Sequence, residues 1–136
     1  MRRVFAVLAT LLVLVVVAQF FLAASGAFDT APNDESFQPH RALGYVIVLV
    51  AVLLTIVGAL ARMPGRLIGM SGLVVGLAVV QPVIAALARA FNDTGEASTT
   101  AGTVVFGLHA VNGLAILAVA GTVARRARAL PRPAVT

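Results

Sequence analysis

The chain has no cysteine and no lysine among its 136 residues, only five carboxylates, and 11% charged residues in all. Without cysteine there is no disulfide framework, no thiolate metal site and no cysteine nucleophile, and the redox state of the compartment is left open. There is no glycine-rich nucleotide loop, no pair of carboxylates at catalytic spacing and no nucleophile with an adjacent base, so soluble enzyme chemistry has no footing. What fills the chain instead is apolar: 60% of residues are hydrophobic, a balance that belongs to membrane proteins. The net charge of +5 does not make a nucleic-acid surface, because the arginines sit at the ends of apolar runs and not on one accessible face.

Four runs are long enough to cross the roughly 30 Å hydrocarbon layer: Val4 to Ala24, Ala42 to Ala61, Leu67 to Phe91 and Gly102 to Ala124. The expected fold is all-α, a polytopic four-helix transmembrane bundle forming a single domain over residues 1–130, with a cytoplasmic tail at 131–136. The first run, "MRR" followed by apolar residues and "LAASGA", also resembles a secretory signal with a small-residue cleavage site. It is longer than a usual signal core and is read as a membrane helix. The third run carries Gln81-Pro82, where the missing N–H is expected to kink the helix toward the bundle interior.

Arginine placement sets the expected orientation. Arg2, Arg3, Arg62, Arg66, Arg125, Arg126, Arg128 and Arg132 fall on one side of a four-span arrangement. Arg41 and Arg89 fall on the other, together with every acid: Asp29, Asp34, Glu35, Asp93 and Glu96. The positive-inside rule then puts both termini in the cytoplasm of a bacterium, with the chain multi-pass in the cytoplasmic membrane. "RMPGR" reads as a tight inner turn, and Ser25 to Pro39 and Asn92 to Ala101 as polar outer loops.

An internal echo links the halves. "HRALGYVI" and "HAVNGLAI" share His, then Gly four residues on, then Ile, and Gln19 in "QFFLAASGAF" matches Gln81 in "QPVIAALARAF". Two like-oriented helical hairpins related by an axis along the membrane normal are expected. Residues four apart share a helix face, so His40 lies over Gly44 and His109 over Gly113. Each imidazole would then have a side-chain-free patch beneath it, clearance that a planar macrocycle needs.

An ionisable residue at membrane depth marks a functional site by default. The alternatives are an interfacial role for His40, which follows Pro39, and a plain interhelical hydrogen bond for His109. Two imidazoles facing across a bundle suit haem iron in bis-histidine ligation, whereas zinc wants further ligands. Asp29, Asp93 or Glu96 could be offered to zinc or copper, but without ligand spacing. Arg41 and Arg89 are the outer cations placed for haem propionates, with simple anchoring as the other reading of Arg89. Gln81 and Asn112 are expected to bond one another, a backbone carbonyl or a ligand edge. Counted from the inner arginines at about 1.5 Å per residue, His40 stands roughly 33 Å up its helix and His109 roughly 24 Å, an offset of about 9 Å that opposes the pairing.

"PHRALGYVIVLVAVLL", "LAVVQPVIAALARAF" and "FGLHAVNGLAIL" together resemble one four-helix half of the haem A synthase family, over all four spans. The resemblance implies a bundle binding haem near the outer face, with His40 and His109 as axial ligands. The chain departs from that family at Phe37, where the catalytic half has a glutamate three residues before its His-Arg, and it lacks outer-loop cysteines and a second half. Oxidation of a haem methyl group is therefore not carried over. The chain is also similar to small actinobacterial four-helix membrane proteins, which implies no activity.

The leading expectation is a haem b protein with one bis-histidine haem near the outer face, for electron transfer or haem handling. Any enzymatic activity would be haem-dependent redox chemistry. The alternative is a cofactor-free accessory or assembly subunit docking in a larger membrane complex through Gly69, Gly72, Gly76, Gly102, Gly107 and Gly121. A transporter or channel is weaker, since no acid lies within a span, although the Gln-Pro break could line a path. The expected partners are the bilayer, a membrane redox partner or complex, and further copies of the chain, with no nucleic acid.

Overall fold

The computed structural model describes residues 1–91 and 99–130. All of its regular structure is helical: α1 (Arg2–Ala27), a single turn α2 (Asn33–Ser36), α3 (Gln38–Leu60), α4 (Gly65–Phe91) and α5 (Thr100–Ala129). Four segments are long and apolar enough to cross a membrane, Arg2–Ala27, Asn33–Leu60, Gly65–Phe91 and Thr100–Ala129. Leu14, Phe21, Leu60, Val104, Val111 and Leu114 are each more than half exposed on the outward faces. Faces this greasy require lipid and not water around them, and the chain is a multi-pass membrane protein.

Each helix runs past the limits expected from hydropathy at one end at least. α1 continues to Ala27, α3 begins at Gln38, and α5 continues through Arg125, Arg126 and Arg128 to Ala129. Hydropathy sees only the hydrocarbon layer, whereas backbone hydrogen bonding continues into the headgroup zone. The stretch expected as a loop from Ser25 to Pro39 is partly helical for the same reason. The Asp29 carboxylate accepts from the Ala31 N–H and the Ser36 hydroxyl donates to the Ala31 carbonyl, which closes the corner into α2. Gly26 is required there, because a Cβ would lie 2.8 Å from the Ser36 carbonyl oxygen and 3.1 Å from the Phe37 ring. Asp93, Glu96 and most of the expected second outer loop, like the tail at 131–136 with Arg132, lie outside the described residues.

The packed neighbours are α1 with α3, α3 with α4, α4 with α5, and α5 with α1. This is a closed ring in which α3 and α5 form one diagonal and α1 and α4 the other. The α3–α4 corner is a Schellman cap: Met63 N–H donates to Gly58 and Arg62 N–H to Ala59. Arg62 takes the left-handed conformation (φ 49°), and the buried Met63 supplies the apolar contact that holds it. α5 starts on the Thr99 hydroxyl, which accepts from the Gly102 N–H.

Burial repeats along the chain in fixed register. In α1 the buried residues are Phe5, Ala9, Leu12, Val16 and Gly26, and in α4 they are Leu67, Ser71, Val74, Ala78 and Ala88, each 62 positions later. In α3, Ile47, Ala51, Leu54 and Gly58 are buried, and their counterparts 69 positions later in α5, Ile116, Ala120, Val123 and Ala127, are buried as well. Spacings of three and four put each set on one helix face. Another close approach is at Gly58, where a Cβ would come 2.9 Å from the fully buried Phe5 ring.

Candidate functional site

The bundle has one polar layer, and all four long helices contribute to it. His40 stands on α3 and His109 on α5, the diagonal pair, yet their ring centroids are 6.1 Å apart at an interplanar angle of 49°. Both residues are half-buried. The expected offset in depth is absent. His40 lies 20 residues before the last residue of α3 and His109 20 residues before the last residue of α5, so both stand about 30 Å from that end. The apparent mismatch came from taking the arginine cluster as the end of α5, which in fact runs through it.

Each ring is held by its partner helix in the same way. His40 Nδ1 lies 3.2 Å from the Gln19 carbonyl oxygen, and His109 Nδ1 lies 3.2 Å from the Gln81 carbonyl oxygen. A carbonyl only accepts, so Nδ1 carries a proton in both rings, and in the neutral imidazole each Nε2 then keeps a lone pair. The Gln19 amide agrees with that assignment: its Nε2 donates to the His40 carbonyl at 2.8 Å and lies 3.3 Å from His40 Nε2. Because that nitrogen must face a carbonyl, the Gln19 Oε1 is fixed pointing elsewhere. It is buried without a hydrogen-bond partner among the described residues, and so is Gln81 Oε1. The layer is therefore rich in acceptors and poor in donors.

The other expected site residues fall around this pair. Gly44 and Gly113 do sit under the histidines, but glutamines fill the space: a Cβ on Gly44 would meet Gln19 Nε2 at 3.5 Å, and one on Gly113 would meet Gln81 Nε2 and the Phe20 ring, both at 3.3 Å. Asn112 does not bond Gln81; its Nδ2 donates to the Leu77 carbonyl at 2.8 Å. That carbonyl lies in the turn before Pro82, which has no N–H to offer Ala78, and a neighbouring helix thus supports the weakened turn. The Pro82 ring is itself exposed, contrary to the expectation that the break faces inward; Gln81 is the residue turned toward the centre. Arg41 is engaged by Asp34, donating to its carbonyl and lying 3.8 Å from its carboxylate at an exposed position. Arg89 is exposed in the last turn of α4, at the same end of the bundle.

Three aromatic residues and one glutamine complete the site beyond what the sequence reading selected. Phe106 stacks on His109 with centroids 5.5 Å apart and planes 1° from parallel, and Phe37 meets His40 edge-on at 6.2 Å and 86°. Phe20 reaches Gly113 from α1. The signal was present, because Phe-x-x-His-x-x-x-Gly occurs at Phe37 and again at Phe106. Gln19 had been matched to Gln81 only as a repeat position. Among the described residues no group of three or more His, Cys, Asp or Glu is gathered where it could hold a metal ion.

A family model described as a family of unknown function (DUF6220) matches residues 19–89. The chain belongs to this family. No curated protein and no solved structure matches it. The DUF6220 segment begins on Gln19 and takes in His40, Gly44 and Gln81, so three of the four helices that build the polar layer lie wholly or partly within it; His109 lies beyond it.

Proposed function

We propose that this DUF6220 protein is an integral membrane haem b protein with a single bis-histidine haem. The carrying observation is the imidazole pair: two rings from diagonal helices, 6.1 Å between centroids, each with Nδ1 tied to a backbone carbonyl. Two imidazoles sharing one metal atom through Nε2, with bonds of about 2 Å, have ring centres about 6 Å apart. Backbone carbonyls on Nδ1 are the usual outer partners that fix the tautomer and orientation of a metal-binding histidine. Two protein donors suffice for haem iron, because the macrocycle supplies the other four, whereas zinc would take three or four from the protein. The donor set fits haem. Gln19, Gln81 and Phe20, which lie against Gly44 and Gly113, are the side chains that would yield ground to the ring.

When bound, the haem would supply a one-electron redox centre. The chain's own residues do the rest: His40 and His109 hold the iron, the Gln19 and Gln81 carbonyls hold the imidazoles, and Phe37 and Phe106 wall the rings from lipid. Arg41 and Arg89 are the cations at this end for the propionates. In this reading α1–α3 and α4–α5 are two like-oriented hairpins, consistent with the register repeat, and the arginine-rich end with both termini faces the cytoplasm of a bacterial cell. A lone haem near the outer face favours electron exchange or haem handling there over relay across the membrane.

The test is the visible spectrum of detergent-purified protein expressed with ample haem, oxidised and reduced. A low-spin Soret band that is lost in His40→Ala and in His109→Ala is expected. Colourless protein, or a spectrum unchanged in both variants, overturns the proposal. A second reading has its own observation: Gly65, Gly69, Gly72 and Gly76 on α4 would each accept a Cβ without meeting anything within 4 Å, so these glycines do not serve packing inside this bundle. An accessory subunit docking through that face accounts for them, and colourless protein with a stoichiometric membrane partner would favour it.

A further inference from the structure

At the end of the bundle opposite the histidines, the turn into α4 and the last turns of α5 border an open recess of about 290 Å³. Its walls are Pro64, Leu67, Ala129 and Leu130, and its two charged residues are Arg66 and Arg126, sixty positions apart in the chain. Arg2, Arg3, Arg62, Arg125 and Arg128 crowd the same end, while the described acids, Asp29, Asp34 and Glu35, all lie at the other. Two guanidinium groups brought to one recess, with no carboxylate among the described residues that line it, repel one another, and an anion between them reverses the sign of that interaction. The apolar walls specify what kind of anion. A free phosphate would lose hydration against Leu67, Ala129 and Leu130 and gain nothing there, whereas a lipid brings its own hydrocarbon.

We infer that this recess is a binding site for an anionic phospholipid, its phosphate held between Arg66 and Arg126 and its glycerol and upper acyl segments against Leu67, Ala129 and Leu130. Basic recesses between membrane helices are where such headgroups are held. The site is independent of the haem reading, which concerns the far end of the molecule. It is also distinct from a general surface potential, and the arginines themselves provide the discriminating control. Arg125 is exposed at the same end but does not line the recess, and it donates to the Thr122 hydroxyl.

The experiment is native mass spectrometry of the full chain released from micelles containing phosphatidylglycerol, cardiolipin or phosphatidylcholine, with thermal unfolding to confirm that each variant is folded. One retained anionic lipid is expected and no retained phosphatidylcholine. Arg66→Gln and Arg126→Gln should each reduce occupancy about tenfold, the worth of one hydrogen bond to a charged group, while Arg125→Gln stays within about twofold. Equal losses in all three variants would reduce the effect to surface potential and overturn the site. Retention in the Arg66→Gln/Arg126→Gln double variant would do so too, as would displacement of the lipid by millimolar inorganic phosphate.

Discussion

Placing a methyl group at Gly58 tests the close contact between α1 and α3. The added Cβ would lie 2.9 Å from Phe5 Cε2, 3.4 Å from Cδ2 and 3.5 Å from Ile68 Cγ1, and Phe5 is fully buried, so its ring has no outward route. Gly58→Ala gains about 1 kcal/mol of helix propensity. Against that stands overpacking of about 1–3 kcal/mol, because carbon atoms prefer about 3.5–4.0 Å. The net expectation is destabilisation by roughly 0–2 kcal/mol. Phe5→Leu alone leaves a partial void and should also destabilise, but in the Gly58→Ala background the methyl group occupies that void. The double variant should therefore be more stable than the sum of the singles by about 0.5 kcal/mol or more. SDS-induced unfolding in mixed micelles, followed by helical circular dichroism, reads all four corners of the cycle. Additive effects, or a Gly58→Ala protein stabilised by its full propensity gain, would refute the contact. The outcome would also remove α1 from the bundle core, where Phe5, Ala9, Leu12 and Val16 place it.

Arg62→Gly should raise stability by about 1 kcal/mol, since a side chain in the left-handed region costs about that much and glycine does not bear it; an unchanged unfolding midpoint would mean that Met63 and Pro64 already absorb the strain. Asn112→Ala removes the bond to the Leu77 carbonyl and should cost about 0.6 kcal/mol and at most about 1.7, with faster amide exchange in the turn before Pro82 as its local signature. Gly44→Ala should be stabilising by up to about 1 kcal/mol, because its Cβ makes only an ordinary 3.5 Å contact. Gly113→Ala, squeezed at 3.3 Å by neighbours from two helices, should be the less stable of the two in the same unfolding assay. The reverse order would contradict the glutamine positions.

Four apolar runs separated by turn formers were enough to specify an all-helical membrane protein, because only helices and closed barrels satisfy backbone hydrogen bonds in hydrocarbon. The repeat of His, Gly and Ile, with a glutamine before each, was likewise readable and marked His40 and His109 as a pair. Hydropathy could not give the helix ends, since α5 keeps its hydrogen bonds through Arg125 to Ala129 after the chain has left the apolar layer. From those misplaced ends came the false offset in depth. Nor could the one-dimensional pattern tell which residue would fill the space over Gly44 and Gly113, because that depends on which helix packs alongside: α1 brings Gln19 and Phe20, and α4 brings Gln81. The 6.1 Å separation of the two imidazoles, and the convergence of Arg66 and Arg126 on one recess, were decided by tertiary structure. Closing four helices into a ring sets residues far apart in the chain face to face across a diagonal or a corner, and local periodicity holds no record of that arrangement.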